Sequence, residues 1–279
     1  MFENDEFIYV QMHKTGCTHI TSILSDFLGG EQTSGHMDLG KHNPVTPNQL
    51  KDKKLFISSI RNPWEWYLSL WTYGVQGNGK LMLRLTQRNF FRTVVEAFKN
   101  PRINHKNLTS ELFKNIRIWR ALYNDSGDIY AFRKWLKLIH APSNCCMLGE
   151  RYGDTMISDW CGFMTYRYLY LCCFKIEQLY DRKSIQCYAD LVQFEKDNCY
   201  IEYFIRQENL AGDVCSFIEK FKHLSQTDKA NIYEKKRINK SKRSLLISDY
   251  YDQTSVDLVY ERDRLLVEKF NYSPPNIAK

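Results

Sequence analysis

Short runs of hydrophobic residues at three places along the chain predict β-strands. Residues 7–10 (FIYV) and 55–60 (LFISSI) have the length and the β-branched content that are typical of buried strands. Residues 200–206 (YIEYFIR) alternate between hydrophobic and polar positions, which predicts a third strand. A polar turn follows each run.

Hydrophobic residues at helical spacing come after each of these strands. They are Ile20, Ile23, Leu24, Phe27 and Leu28; then Trp64, Tyr67, Leu68 and Trp71; then Leu210, Val214, Phe217, Ile218 and Phe221. Gly29 and Gly30 end the first helix, Pro63 opens the second, and Thr46 with Pro47 predicts the start of a short helix between them. The alternation predicts an α/β protein whose parallel sheet is flanked by helices.

Residues 77–184 show a different pattern, in which helical spacing dominates. The hydrophobic positions are Phe90, Val94 and Phe98; Leu112, Ile116, Trp119 and Tyr123; and Phe132, Trp135, Leu136 and Ile139. We therefore expect a largely helical insertion without strands of its own. Beyond it the α/β pattern returns, and the chain closes with one predicted helix that carries Val256, Val259, Tyr260, Val267 and Phe270.

The composition favours an anionic ligand and a protein without a membrane span. The formal net charge is +7, which suits polyanions, phosphorylated cofactors and anionic glycans. No apolar stretch is long enough to cross a bilayer, and the acidic first residues, MFENDEF, do not resemble a signal peptide. We expect a cytoplasmic protein. The basic cluster at residues 235–243 is typical of a solvated face or of a nucleic-acid patch.

The nine cysteines are expected to be reduced thiols. Their number is odd, no CxxC pair occurs, and the adjacent pairs Cys145–Cys146 and Cys172–Cys173 have apolar neighbours. A structural zinc site is therefore not expected, and no carboxylate-rich segment suggests another metal.

The turn after the first strand, within QMHKTGCTHI, has the residues of an anion-binding loop. Backbone N–H groups that precede a helix attract anions, and Gly16 lets the backbone approach one closely. Lys14 adds a charge, while Thr15 and Thr18 add hydroxyl donors. A nucleotide-kinase loop would place its lysine after a second glycine, which this chain does not.

The turn after the second strand, IRNPWEWYLS, supplies a second set of anion-binding groups. Arg61 follows the strand directly, and Ser69 lies eight residues later on what the spacing predicts to be a polar flank of the helix. Because ligands bind at the carboxyl ends of parallel strands, both turns are expected to border one crevice. Together they predict a ligand with two anionic groups.

These two motifs, HKTGCTH and SSIRNPWEWYLS, resemble the cofactor-binding motifs of sulfotransferases that use 3′-phosphoadenosine 5′-phosphosulfate (PAPS). The similarity is closest to glycan-type and bacterial members, and IRQENL, INKSKRS and VYERDRLLVEKFNY resemble the family's C-terminal part. Cys17 stands where a glycine or a small hydroxyl residue is commoner in the family. The resemblance implies a P-loop-like fold, PAPS as cosubstrate and no metal.

The resemblance also implies roles for individual residues. The loop that holds the 5′-phosphosulfate would comprise His13, Lys14, Thr15, Gly16, Cys17, Thr18 and His19. Arg61 and Ser69 would bind the 3′-phosphate, and the basic loop with Lys240 and Ser241 would close over the cofactor. Lys14 is expected to stabilise the leaving phosphate. His13 is expected mainly to shape its loop.

The acceptor hydroxyl needs a general base, for which histidine is suited near neutral pH. Residues 34–46 (SGHMDLGKHNPVT) offer His42, which best matches the family's segment, and His36 as its rival. Asp38 and Glu31 are weaker candidates.

The predicted organisation is one sulfotransferase domain over residues 1–279. Residues 1–76 form the cofactor-binding core, residues 77–184 a helical insertion on the acceptor side, and residues 185–279 the return to the core. The aromatic helices of the insertion, with Arg84, Arg88 and Arg92, suit a carbohydrate or glycolipid acceptor, although most of these aromatics are expected to be core. A small-molecule kinase, a catalytically inactive scaffold and a basic nucleic-acid-binding protein are the alternatives.

Overall fold

The computed structural model describes residues 1–33, 44–45, 49, 53–88, 105–236, 243 and 245–277. Within these residues the chain forms two compact units. The first comprises Met1–Asn62, Arg167–Ile176 and Glu195–Lys240, and the second comprises Pro63–Tyr166, Glu177–Phe194 and Ser241–Lys279. The predicted bases His36 and His42, the cofactor-loop residues Lys240 and Ser241, and the predicted helix at Thr46 lie outside the described residues.

The first unit contains a five-stranded sheet in the order β3-β1-β2-β4-β5. Its strands are β1 (Phe2–Glu3), β2 (Phe7–Val10), β3 (Glu31–Gln32), β4 (Leu55–Ile60) and β5 (Tyr203–Arg206). The pairs β2–β4 and β4–β5 are parallel, whereas β1 pairs antiparallel with both β2 and β3. The sheet is therefore mixed, where a wholly parallel one was expected.

The antiparallel end of the sheet follows from a tight turn that the sequence pattern did not reveal. The Asn4 side-chain oxygen accepts the backbone N–H groups of Glu6 and Phe7, both at 2.9 Å. An asparagine that bonds to the backbone after it forms a turn of its own. Only antiparallel strands can be joined by so short a connection, so β1 must fold back on β2.

Helices make up most of the described chain outside the sheet. They are α1 (Cys17–Leu28), α2 (Pro63–Val75), α3 (Lys80–Thr86), α4 (His105–Phe113), α5 (Ile116–Ala121), α6 (Ile129–Ile139), α7 (Cys145–Leu148), α8 (Phe163–Cys172), α9 (Tyr188–Asn198), α10 (Leu210–Ile218), α11 (Gln226–Glu234), α12 (Ile247–Tyr250), α13 (Gln253–Arg262) and α14 (Arg264–Phe270). Short 3-10 turns occur at Pro142–Asn144, Tyr152–Asp154, Met156–Asp159, Ile176–Tyr180 and Gln207–Asn209. None of the described helices is both long and apolar enough to traverse a membrane.

The core of the first unit forms where helices α1 and α10 pack against the sheet. All four residues of β2 are buried, as expected for a strand that lies between neighbours and is covered on its faces. The helical stripe predicted for α1 is confirmed, since Ile20, Ile23 and Leu24 are fully buried. The predicted C-terminal end also agrees, because α1 stops at Leu28 and Gly29 follows with a φ of 67°.

Helix α2 of the second unit is buried almost all round. Trp64, Trp66 and Trp71 have no exposed surface, and the indole N–H groups of Trp64 and Trp71 donate to the carbonyls of Val256 and Leu122. Ser69, which the spacing placed on a polar flank of the helix, has a side chain that is only 5% exposed.

Two predicted helical stretches are each divided in the structure. Helix α4 ends at Phe113, and Asn115 caps α5 by accepting the backbone N–H of Ile118. The predicted C-terminal helix is broken at Asp263 into α13 and α14. In both places hydrophobic spacing continues across the break, so the pattern alone predicts one helix.

The described part of residues 77–184 contains helices and one isolated bridge residue, Cys173.

The break at Asp263 is stabilised by a buried carboxylate. Asp263 is fully buried and accepts hydrogen bonds from the Tyr67 hydroxyl at 2.7 Å, the Thr165 N–H at 2.9 Å and the Thr165 hydroxyl at 2.7 Å. Burial, followed by the charge of Asp263, raises the pKa of Tyr67 well above its ordinary value, so the phenol stays a donor. At Gly162 an added Cβ would lie 2.3 Å from this carboxylate, so no larger residue fits there without moving it.

We expect Asp263→Ala to lower the free energy of unfolding by about 3 kcal/mol or more, because three buried donors would lose their acceptor. Urea denaturation measures the change. Asp257→Ala is the control, since Asp257 is exposed on α13 and should shift stability by no more than about 0.5 kcal/mol. Similar values for both variants would contradict this account of the break.

Candidate functional site

Three loops of the first unit begin at the same edge of the sheet. Val10 of β2 pairs with Ser58 of β4, and Ile60 of β4 pairs with Arg206 of β5, all in parallel. The segments that follow, residues 11–16, 61–62 and 207–209, therefore start at the carboxyl edge of the strands. Ligands of open α/β sheets bind at this edge.

The first loop carries two residues in the left-handed backbone region just before α1. Lys14 has a φ of 61° and Gly16 a φ of 84°. Left-handed residues next to a helix N-terminus curve the backbone into a concavity that suits anions. The positive φ favours glycine at position 16, where an added Cβ would also lie 2.9 Å from a terminal methyl carbon of Leu210 of α10 and displace it. The strained lysine is the kind of feature that clusters at functional sites.

Hydroxyl groups beneath the loop fix its position on the sheet. The Thr15 hydroxyl donates to the Met12 carbonyl at 2.8 Å and lies 2.6 Å from the Ser59 oxygen. The Tyr9 hydroxyl lies 2.6 Å from the same Ser59 oxygen. Because Thr15 donates its proton to Met12, Ser59 donates to Thr15 and Tyr9 donates to Ser59. The predicted ligand donor Thr15 thus has a fully buried side chain that holds the loop.

Lys14 and Arg61 form a concentrated positive charge at this edge. The Arg61 guanidinium donates from Nη1 to the Lys14 carbonyl at 3.2 Å, which joins the first two loops. Burial, and then the nearby charge of Arg61, lowers the pKa of Lys14 to about 8, while Cys17 acts weakly in the opposite direction. Two cations held this close favour an anion between them and the helix N-terminus.

The third loop is tied to the second through a carboxylate. Glu208 accepts the backbone N–H of Asn62 at 2.7 Å. The backbone N–H of Arg206 donates to Asp213 at 2.7 Å. The third loop was not predicted as part of the site. The strand at residues 200–206 was the available clue, because its carboxyl end had to meet the same edge.

The structure places the remaining predicted residues as follows. Cys17 and His19 are buried in the first turn of α1, whereas His13, Gly16 and Thr18 keep part of their surface exposed. These residues lie with Lys14 and Arg61 in the first unit. Ser69 belongs to the second unit, where it is buried in α2.

The acceptor-side residues of the second unit have structural roles where they are described. Trp119, Tyr123, Phe132 and Trp135 are buried, as the sequence indicated for most aromatics there. Arg88 donates to the carbonyls of Glu111 and Leu112, both at 3.4 Å, and an added Cβ at Gly149 would lie 1.9 Å from the Arg84 guanidinium. The large aromatic surfaces exposed on described helices of this region are those of Phe113 and Tyr130.

No protein-family model, curated protein or solved structure matches the chain. Any assignment of function therefore depends on the residues and geometry at the carboxyl edge of the sheet.

The lowered pKa of Lys14 is open to direct measurement. We expect its acetylation, followed residue by residue with mass spectrometry across pH, to show a midpoint near 8. Arg61→Gln should move that midpoint upward by removing a neighbouring positive charge, whereas Arg182→Gln, at an exposed position, should not. Folding lowers this pKa from 10.5 to about 8, so the protonated Lys14 side chain destabilises the folded state below pH 8. This cost fades to nothing as the pH rises from 8 to 10.5. A wild-type midpoint at the ordinary lysine value would contradict the burial of this charge.

Proposed function

We propose that the chain is a PAPS-dependent sulfotransferase that transfers a sulfuryl group to an acceptor hydroxyl. The observation that carries the proposal is the contact between Arg61 and the Lys14 carbonyl, which brings the two motifs of the sequence to one edge of the sheet. A single anionic group needs only one such loop. Two cationic loops at one edge support a ligand with separated phosphates, as PAPS has.

In this proposal Lys14 and the N-terminus of α1 bind the 5′-phosphosulfate. The bond from the acceptor oxygen to sulfur forms as the bond from sulfur to the bridging phosphate oxygen breaks, and the acceptor proton passes to a base. The products are 3′-phosphoadenosine 5′-phosphate (PAP), the sulfate ester and a proton. Lys14 neutralises the charge that develops on the leaving oxygen, which is worth most in the transition state.

Phosphate binding also accounts for the unusual state of Lys14. A nearby anion favours the protonated amine, so the cosubstrate would raise the lowered pKa and keep the ammonium charged at neutral pH. The cost of placing a strained lysine beside an arginine is thus recovered when the ligand binds. A P-loop-like fold and a carbohydrate or glycolipid acceptor belong to the same proposal, and the resemblance of the motifs supports them. A cytoplasmic location is proposed as well.

Arg61 is assigned to the 3′-phosphate together with Ser69, while Lys240 and Ser241 are assigned to a loop over the cofactor. These roles extend the motif resemblance to residues of this chain. A guanidinium carries five N–H donors in a planar fork that suits phosphate, and in Arg61 the Nη1 group donates to the Lys14 carbonyl.

The cosubstrate can be tested without knowing the acceptor. We expect PAP to raise the melting temperature of the wild-type protein more than ATP does at equal concentration, because a ligand of the folded state stabilises it by mass action. Arg61→Ala should weaken PAP binding by about 2 kcal/mol, roughly 30-fold in Kd, through loss of a charge-assisted contact. Titration calorimetry gives the constants.

Arg182→Ala is the matched control for that experiment, since Arg182 is exposed and belongs to the second unit. Its affinity for PAP should equal that of the wild type. Preference for ATP would favour a kinase, and binding of DNA without PAP affinity would favour a nucleic-acid-binding protein. Unchanged PAP affinity in a folded Arg61→Ala variant would refute the assignment of Arg61.

The general base is tested by comparing two histidines. With radiolabelled PAPS and a mixture of hydroxylated glycans, we expect His42→Ala to keep PAP affinity but to lose roughly 100-fold in rate, the usual effect of removing a positioned base. The wild-type rate should fall as acid protonates the imidazole, because only the neutral ring accepts a proton. His36→Ala is the comparison variant. If His36→Ala abolishes transfer and His42→Ala leaves it intact, the roles are reversed.

A further inference from the structure

Two cysteines of the first unit face each other across an isolated antiparallel bridge. Cys173 follows the last residue of α8, Cys199 follows the last residue of α9, and the two are bridge partners. The flanking hydrogen bonds run from the Phe174 N–H to the Asn198 carbonyl at 2.9 Å and from the Tyr200 N–H to the Cys172 carbonyl at 3.1 Å. This pattern makes the two cysteines a non-hydrogen-bonded pair, the arrangement in which opposite side chains lie closest.

A carboxylate completes the group. Glu195 lies one helical turn before Cys199, and the Cys199 N–H donates to the Glu195 carbonyl at 2.9 Å, so both side chains share one face of the chain. One carboxylate oxygen of Glu195 and the two sulfur atoms all lie within 4.8 Å of one another. Cys173 is 3% exposed and Glu195 is 6% exposed. Among the described residues this is the one cluster with such donor spacing.

The carboxylate is held in position by Tyr168 of α8. The Tyr168 hydroxyl donates to Glu195 Oε1 at 2.6 Å and lies 3.4 Å from the Cys199 sulfur. Metal-binding carboxylates are commonly oriented by such a donor, which leaves the second oxygen for the cation. The hydroxyl thus serves as a positioning group beside the three donor atoms.

We propose that Cys173, Glu195 and Cys199 bind a zinc ion. Two thiolates and one carboxylate are donors that zinc accepts in tetrahedral coordination, whereas magnesium and calcium require oxygen ligands throughout. Three protein ligands leave a fourth position for water. A divalent cation also offsets the cost of placing a carboxylate and two thiolates together in a buried environment.

The site has a structural consequence that is separate from the proposed sulfuryl transfer. Zinc joins the end of α8 to the segment after α9, and that segment leads within four residues into β5. It therefore fixes the entry of the strand whose carboxyl end reaches the anion-binding edge. Metal that binds only the folded chain adds to its stability.

The decisive experiment uses the full-length wild-type protein, purified under reducing conditions without metal. We expect one equivalent of zinc to bind and to raise the melting temperature, and cobalt to give a thiolate-to-metal charge-transfer band. X-ray absorption of the zinc-loaded protein should show two sulfur neighbours at about 2.3 Å with lighter atoms completing the shell. A protein that binds no zinc, or zinc with a different number of sulfur neighbours, would overturn the proposal.

Variants locate the metal on the chain. Cys173→Ser and Cys199→Ser should each lose the charge-transfer band, whereas Cys187→Ser, at an exposed cysteine, should keep it. Tyr168→Phe retains the packing and should lower zinc affinity about 10- to 100-fold, while Tyr130→Phe, at an exposed tyrosine, should not. Loss of the band in Cys187→Ser but not in the bridge variants would contradict the assignment, as would a Cys173–Cys199 disulfide that persists under these reducing conditions.

Discussion

Parallel pairing of β2 with β4, and of β4 with β5, is the constraint on which the candidate site depends. The registers Val10–Ser58 and Ile60–Arg206 bring chain segments that are more than forty residues apart in sequence to one edge. Each strand end then delivers a different kind of group: a curved backbone with a lysine, an arginine, and a carboxylate that fastens the arginine's loop. No single loop supplies this combination.

The buried hydroxyls convert that arrangement into a stiff one. Tyr9 and Ser59 lie on neighbouring strands, and their oxygens connect the sheet to Thr15, so the loop at residues 11–16 is anchored to the sheet. Arg61 holds the same loop from the side through the Lys14 carbonyl. A loop fixed at two points keeps its N–H groups directed before a ligand arrives, which reduces the ordering cost of binding.

Much of this could be predicted from the sequence where the signal was local. Strands at Phe7–Val10 and Leu55–Ile60 were found to the residue, and so was the lysine–glycine turn, because apolar runs and turn chemistry act over a few positions. Strands β1 and β3 have two residues each, too few to show a period. The burial of Ser69 and the meeting of Cys173 with Cys199 depend on distant parts of the chain, which periodicity does not report.

The two-residue strand β3 has a consequence for how the sheet ends. It forms one border of the sheet, and both of its residues, Glu31 and Gln32, are exposed. A border this short and polar presents too few unpaired N–H and C=O groups to recruit a strand from another molecule, and the charge of Glu31 opposes stacking of like edges. Strand β3 therefore disfavours edge-to-edge pairing at this border of the sheet, while strands β2 and β4 lie inside the sheet.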